Sequence, residues 1–200
     1  YARAMVRSRF GHEAHTDRIA ALIGPGAAPP DVPEPSDGQV PVAVGAERSE
    51  GPAVRRPRVL LMSSNGAGMG HLTRLLAYAR HLNEEFEPYF VSMSQAAPVV
   101  GQFGFRYEYL PSTGALGMAP AAWQKLMVKR LTECLARVRP EVVVFDGTWP
   151  YNGFPMVRDR FPHLPWVWSR RGMWRKGANA EQVHKRSWFD EVIEPGDFAA

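Results

Sequence analysis

The chain has 200 residues, 45% of them hydrophobic, with 24 Lys+Arg against 20 Asp+Glu and a sequence pI near 9.5. That length holds one domain of ordinary size plus an appendage. The single Cys134 excludes an intramolecular disulfide framework, and no apolar run reaches the roughly 18–20 residues of a membrane span. The positive balance is mild: it permits contact with an anionic membrane or a phosphorylated substrate without demanding it, and no nucleic-acid motif accompanies it. With no secretory h-region at the start and one cysteine, the expected location is cytoplasmic, with peripheral contact at the inner face of the membrane left open.

Tyr1–Ile23 is a helical segment whose apolar members are Phe10, Ala14, Ile19, Leu22 and Ile23, interrupted at Phe10-Gly11-His12. The run MVRSRFGHEAHTDRIAALI resembles the last helix of another GT-B enzyme, of the kind that ends a donor domain, and it equally fits a plain amphipathic helix. The chain begins at Tyr1 rather than Met, which suits a piece of a longer polypeptide. His12 and His15 lie three apart, but no third ligand is nearby, so no metal site is expected. Gly24–Pro57 carries Pro25, Pro29, Pro30, Pro33, Pro35, Pro41 and Pro52 among Gly and Ala. Such a stretch sustains neither helix nor central strand and reads as a disordered linker. Arg55, Arg56 and Arg58 mark its end, as a solvated domain edge or a lipid or phosphate contact.

From Arg58 the pattern alternates. Arg58–Ser63 is a short buried strand, Asn65–Gly70 a glycine loop, and His71–Leu82 a helix with Leu72, Leu75, Leu76, Ala79 and Leu82 on one face. Glu87–Met93 is a strand, Gln95–Gln102 a short helix or turn, and Phe105–Leu110 an alternating strand. Pro111–Pro120 is a Gly-rich loop. Ala121–Val138 is a helix in which Trp123, Leu126, Met127, Leu131, Leu135 and Val138 share a face. Glu141–Phe145 is continuously apolar, as a strand buried on both faces is. Gly153–Phe161 follows as a helix, Trp166–Ser169 as a strand, Ala180–Phe189 as a helix and Glu191–Ile193 as a last strand. This alternation predicts an α/β fold, a doubly wound parallel sheet of Rossmann-like form.

A strand, a glycine loop and a helix N-terminus form an anion site, because free N–H groups and the helix dipole point at the loop. The loop reads G-x-G-x-G, not the G-x-G-x-x-G of dinucleotide folds, and no acid follows the second strand to hold a ribose. No Gly-Lys-Ser/Thr of a Walker loop is present either. What remains, Asn65 to His71, resembles the first loop of GT-B glycosyltransferases, in particular the MurG-like (family 28-like) members, where Gly-Gly-His closes the first βα turn. The resemblance implies that residues 58–200 are the N-terminal, acceptor-side domain of such an enzyme, metal-independent, with a nucleotide sugar (UDP- or another NDP-sugar) as co-substrate. It implies a small-molecule or lipid acceptor, and a donor-binding domain missing from this chain and supplied in cis or in trans. Alone, the chain is then expected to be inactive. A nucleotide-sugar 2-epimerase on the same scaffold and a non-catalytic anion- or sugar-binding domain are the alternatives.

In the usual doubly wound order the first and fourth strands are neighbours, and ligands bind outside their C-terminal ends. That places His71 and Asp146 at one crevice. By the resemblance, His71 is the general base and Asp146 its orienter. His71 also fits a helix cap or anion ligand, and Asp146 before Gly147 fits an ordinary turn. Asn65, Gly66, Gly68 and Gly70 form the loop against the ligand. Arg170 and Arg171, after the fifth strand, are candidates for an acceptor phosphate or belong to a solvated basic loop. Trp149, Pro150, Tyr151 and Asn152 line the acceptor pocket or pack the loop on the sheet. His81, His163 and His184 read as surface residues, and Cys134 as a buried small hydrophobe.

Overall fold

The computed structural model describes residues 56–64, 69–170 and 180–195. The helical segment expected within residues 1–23 and nearly all of the 24–57 linker lie outside the described residues, as do Asn65, Gly66, Gly68 and Arg171.

Six strands form one sheet: β1 (Arg58–Ser63), β2 (Glu87–Ser92), β3 (Arg106–Tyr109), β4 (Val142–Asp146), β5 (Trp166–Ser169) and β6 (Glu191–Ile193). Their order is β3-β2-β1-β4-β5-β6, and every neighbouring pair is parallel. The order reverses between β1 and β4, the switch point expected of a doubly wound sheet. β4 is buried along its whole length, which is why its sequence shows no alternation.

Each central strand sends alternate residues to two cores. Val59, Leu61, Val142 and Val144 pack with helix α1 (Gly70–Leu82), which buries Leu72, Leu75, Leu76, Tyr78, Ala79 and Leu82. Burying a Leu side chain is worth about 1.5–3 kcal/mol, so this stripe alone anchors the helix. Leu60, Met62, Val143 and Phe145 face the other core, with the helix Pro120–Val138. Pro120 stands in its first turn, where a missing N–H costs nothing, and Arg139 ends it in a left-handed conformation (φ 51°) before Pro140. That helix meets Gly153 so closely that a Cβ there would lie 2.6 Å from Val128 Cγ2.

Four local expectations change. The loop after β3 contains a one-turn helix, Thr113–Leu116, capped by Ser112 Oγ, which accepts from the Ala115 N–H. Val128 is buried in the long helix and Leu126 only half-buried, because the apolar stripe drifts with the 3.6 period. The segment Gly153–Phe161 holds a single short helix, Phe154–Arg158, with Pro155 in its first turn. The expected helix Ala180–Phe189 is one α turn, Ala180–Val183, followed by a 3-10 helix, His184–Trp188. Among the described residues no helix is long and apolar enough to cross a membrane.

Candidate functional site

Apolar strands end here in a polar row. Ser92, Ser63, Asp146 and Ser169 stand in register across β2, β1, β4 and β5, and all four are buried. Buried polar groups need partners, and each of these has one. The Ser63 and Ser92 hydroxyls lie 2.7 Å apart, and Ser169 Oγ donates to Asp146 Oδ2 at 2.7 Å.

Asp146 is the centre of the row, and its side chain is fully shielded from solvent. Helix α1 starts beside it. His71, Arg74 and Tyr78 fall at i, i+3 and i+7 and therefore share one face. His71 Nδ1 lies 2.6 Å from Asp146 Oδ1, and Arg74 Nη1 donates to both carboxylate oxygens at 3.1 and 3.0 Å. Tyr78 Oη lies 3.2 Å from Ser169 Oγ. Burial pushes the Tyr78 hydroxyl up to about 12, against the lowering effect of its Ser169 hydrogen bond, with the Asp146 charge adding to the rise. Tyr78 is thus a neutral hydroxyl at physiological pH.

The arrangement has a definite chemical consequence. An ionised carboxylate only accepts hydrogen bonds, so Nδ1 of the ring carries the proton. In the neutral imidazole the lone pair then lies on Nε2. Arg74 meanwhile brings a positive charge to the buried carboxylate, which also keeps its contacts with His71 and Ser169.

Gly147 follows Asp146 for a steric reason. A Cβ there would sit 2.4 Å from Phe145 Cζ and 2.9 Å from Ser64 Cβ. Its carbonyl accepts from Trp168 Nε1 at 2.9 Å, which fixes the turn that carries Asp146. Gly70 differs: a Cβ at this first residue of α1 meets nothing within 4 Å.

Of the residues singled out from the sequence, His71 and Asp146 are in contact. Arg170, one residue past β5, pairs with Glu194 and lies 5.6 Å from the Trp168 ring. Burial and the neighbouring Arg186 charge pull its guanidinium below the ordinary value. Pro150 is buried and Tyr151 packs on Trp123 and Phe145, whereas Trp149 and Asn152 are exposed. His81, His163 and His184 are exposed. Three members of the site were not singled out: Arg74, Tyr78 and Ser169. For Arg74 the spacing of three from His71 was the available signal. A separate hollow of about 600 Å³ beside the 3-10 helix, lined by His184, Arg186 and Asp190 among others, includes none of these residues. Among the described residues no group of three or more His, Cys, Asp or Glu is placed to hold a metal ion.

No protein-family model matches the chain, and no curated protein matches it in sequence. Solved structures do resemble it. A UDP-N-acetylglucosamine 2-epimerase from Listeria monocytogenes aligns at 15% identity over 70% of this chain and 39% of its own, with a TM-score of 0.50. MurG from Acinetobacter baumannii aligns at 16% identity over 72% of this chain and 43% of its own, with a TM-score of 0.52. A further UDP-N-acetylglucosamine 2-epimerase aligns at 12% identity over 70% of this chain and 42% of its own, also with a TM-score of 0.52. The chain therefore spans about two fifths of the length of these proteins. The shared feature is the fold, and it agrees with the GT-B resemblance read from Asn65 to His71.

Proposed function

We propose that this domain is the acceptor-side half of a glycosyltransferase that moves a hexosyl group from a nucleotide sugar to an acceptor hydroxyl. The observation that carries the reading is the 2.6 Å contact of His71 Nδ1 with Asp146 Oδ1, at the C-terminal ends of β1 and β4 where the strand order reverses. His71 Nε2 takes the acceptor hydroxyl proton, the freed oxygen attacks the anomeric carbon, and the nucleoside diphosphate leaves with the bonding electrons. Asp146 holds the tautomer and stabilises the imidazolium. Asn65, Gly66, Gly68 and Gly70 are the proposed ligand-binding loop, and Gly70, the described one, begins α1 with open space where a side chain would stand. Arg171 remains a candidate for an acceptor phosphate, whereas the Glu194 pairing of Arg170 competes with that use. The nucleotide sugar binds a second domain, in cis or in trans. The partial span of MurG and the epimerases supports that division.

A second reading, part of a nucleotide-sugar 2-epimerase, has the fold likeness to two UDP-N-acetylglucosamine 2-epimerases in its favour. It acts on the nucleotide sugar itself and needs no acceptor.

Two measurements test the proposal. Calorimetric titration of the 200-residue chain with UDP-, GDP- and dTDP-sugars should show no binding while circular dichroism shows a folded domain. In a longer polypeptide or complex that carries the donor half, His71→Gln should lower sugar transfer by about 10²–10⁴-fold. Micromolar nucleotide-sugar binding by the chain alone, or unchanged transfer in His71→Gln, would refute it. The first result would favour the epimerase reading.

A further inference from the structure

A carboxylate sealed from water calls for a positive charge beside it. The Asp146 side chain is fully shielded, and among the described residues three side chains meet its carboxylate: Ser169, Arg74 and His71. Ser169 is a neutral hydroxyl that donates to Oδ2 at 2.7 Å. Arg74 is cationic at every physiological pH, and its Nη1 donates to both oxygens at 3.1 and 3.0 Å. His71 Nδ1, 2.6 Å from Oδ1, belongs to the one partner whose charge changes near neutral pH. Tyr78 reaches the carboxylate only through Ser169, 3.2 Å away, and is a neutral hydroxyl.

With Arg74 in place the charges at the site already cancel. A proton on His71 Nε2 would add a second cation three residues from Arg74 on the same face of α1, where like charges repel. The His71 and Arg74 side chains are only 18% and 16% exposed, so water screens that repulsion weakly. The other charged groups on the described parts of the surrounding elements leave this count unchanged. β1 and β2 end in the uncharged Ser63, Ser64 and Ser92. Arg170, just past β5, pairs with Glu194, and Arg80 and His81 are exposed toward the far end of α1.

We infer that Arg74 is a positioning residue that supplies the positive charge beside Asp146, so that His71 stays a neutral imidazole with its lone pair on Nε2. Without Arg74, His71 becomes the described neighbour able to neutralise the carboxylate. It then carries a proton on both ring nitrogens and has no lone pair left for an acceptor hydroxyl. The charge assignment stands on the geometry alone, whereas its use in sugar transfer rests on the reading of His71 as the acceptor base.

The test is long-range proton–nitrogen NMR of the six histidines of the 200-residue chain, with His71 identified by its loss in His71→Gln. In wild type at about pH 8 the ring should be neutral and protonated on Nδ1. In Arg74→Gln its titration midpoint should rise by about one pH unit or more, because a like charge has been removed. Arg74→Lys, which keeps the charge, should leave the midpoint within about 0.3 of the wild-type one. In Arg74→Gln combined with Asp146→Asn no carboxylate is left to neutralise, and the rise should vanish. The inference is overturned by an unmoved or lowered midpoint in Arg74→Gln, or by an imidazolium in wild type at about pH 8. An equal rise in Arg74→Lys also overturns it, because packing and not charge would then be the cause.

In a polypeptide that carries the donor half, Arg74→Gln should lower transfer at least about fivefold at about pH 7. Transfer should return to within about twofold of wild type once the pH exceeds the raised midpoint. A raised midpoint with the same loss of transfer at every pH sinks the base reading and leaves the charge assignment standing. An unmoved midpoint sinks the charge assignment, whatever transfer in His71→Gln shows.

Discussion

Replacing Asp146 by Asn leaves the shape of the site nearly unchanged but removes the carboxylate charge that compensates Arg74 there. Arg74 is 16% exposed at the side chain, so water recovers little of the lost interaction. Breaking a buried pair by removing one partner costs about 3–5 kcal/mol, and the residual hydration of Arg74 puts the expected cost near the lower end, about 3 kcal/mol. Arg74→Gln removes two charge-assisted hydrogen bonds, 3.1 and 3.0 Å long, but leaves Asp146 with its His71 and Ser169 partners. About 2 kcal/mol is expected. In the double variant no uncompensated charge remains, so the total should be about 3–3.5 kcal/mol, a coupling of about 1.5–2 kcal/mol. Urea unfolding of the four proteins, followed by tryptophan fluorescence with the m-value checked for constancy, measures the cycle. Additive single costs, within about 0.5 kcal/mol, would refute the argument that Arg74 and Asp146 act as one buried ion pair.

Gly147→Ala should cost about 1–3 kcal/mol, because its Cβ must displace a fully buried Phe145 ring and Ser64; a thermal midpoint unchanged within about 1 °C would contradict this. Glu108 gives a pH signature. Burial raises its carboxyl, but hydrogen bonds from Tyr89, Arg137 and Cys134 outweigh that and hold it below the ordinary value of 4.5. A carboxyl depressed in the fold stabilises above its unfolded value and loses that contribution as pH falls through its folded one. The stability advantage of wild type over Glu108→Gln should therefore shrink as pH falls from neutral through the ordinary value of 4.5 and below, and a constant difference would count against it. Burial, then the Glu108 charge, push the Cys134 thiol well above its usual range. Iodoacetamide at about pH 8 should therefore label it only as fast as the domain opens, whereas labelling at the rate of a free thiol would disprove the protection.

The polar row also explains why this edge tolerates so much buried hydrogen bonding. Ser63, Ser92 and Ser169 surround Asp146 with small hydroxyls that satisfy one another and the carboxylate without displacing the apolar layers behind them. A half-satisfied network there would destabilise the sheet end. The complete one lets a buried charge sit beside His71 at the mouth of the fold.

The strands, the helices and their alternation were legible along the chain, since hydrophobic period is a local property and each core stripe is written within one element. The contact of His71 with Asp146 was legible at one remove. It follows from the rule that parallel doubly wound sheets place the first and fourth strands side by side. Arg74, Tyr78 and Ser169 were not legible as partners of that pair. Which face of α1 turns to β4, and which strand end lies in register with Asp146, depend on how helix and sheet pack. The same holds for Gly147, which reads as an ordinary turn glycine until the Phe145 ring is seen beneath it. Sequence thus determined what each element is, because periodicity acts over a few residues. The tertiary structure decided which side chains meet, because residues as distant as Arg74 and Asp146 approach only through strand register and helix packing.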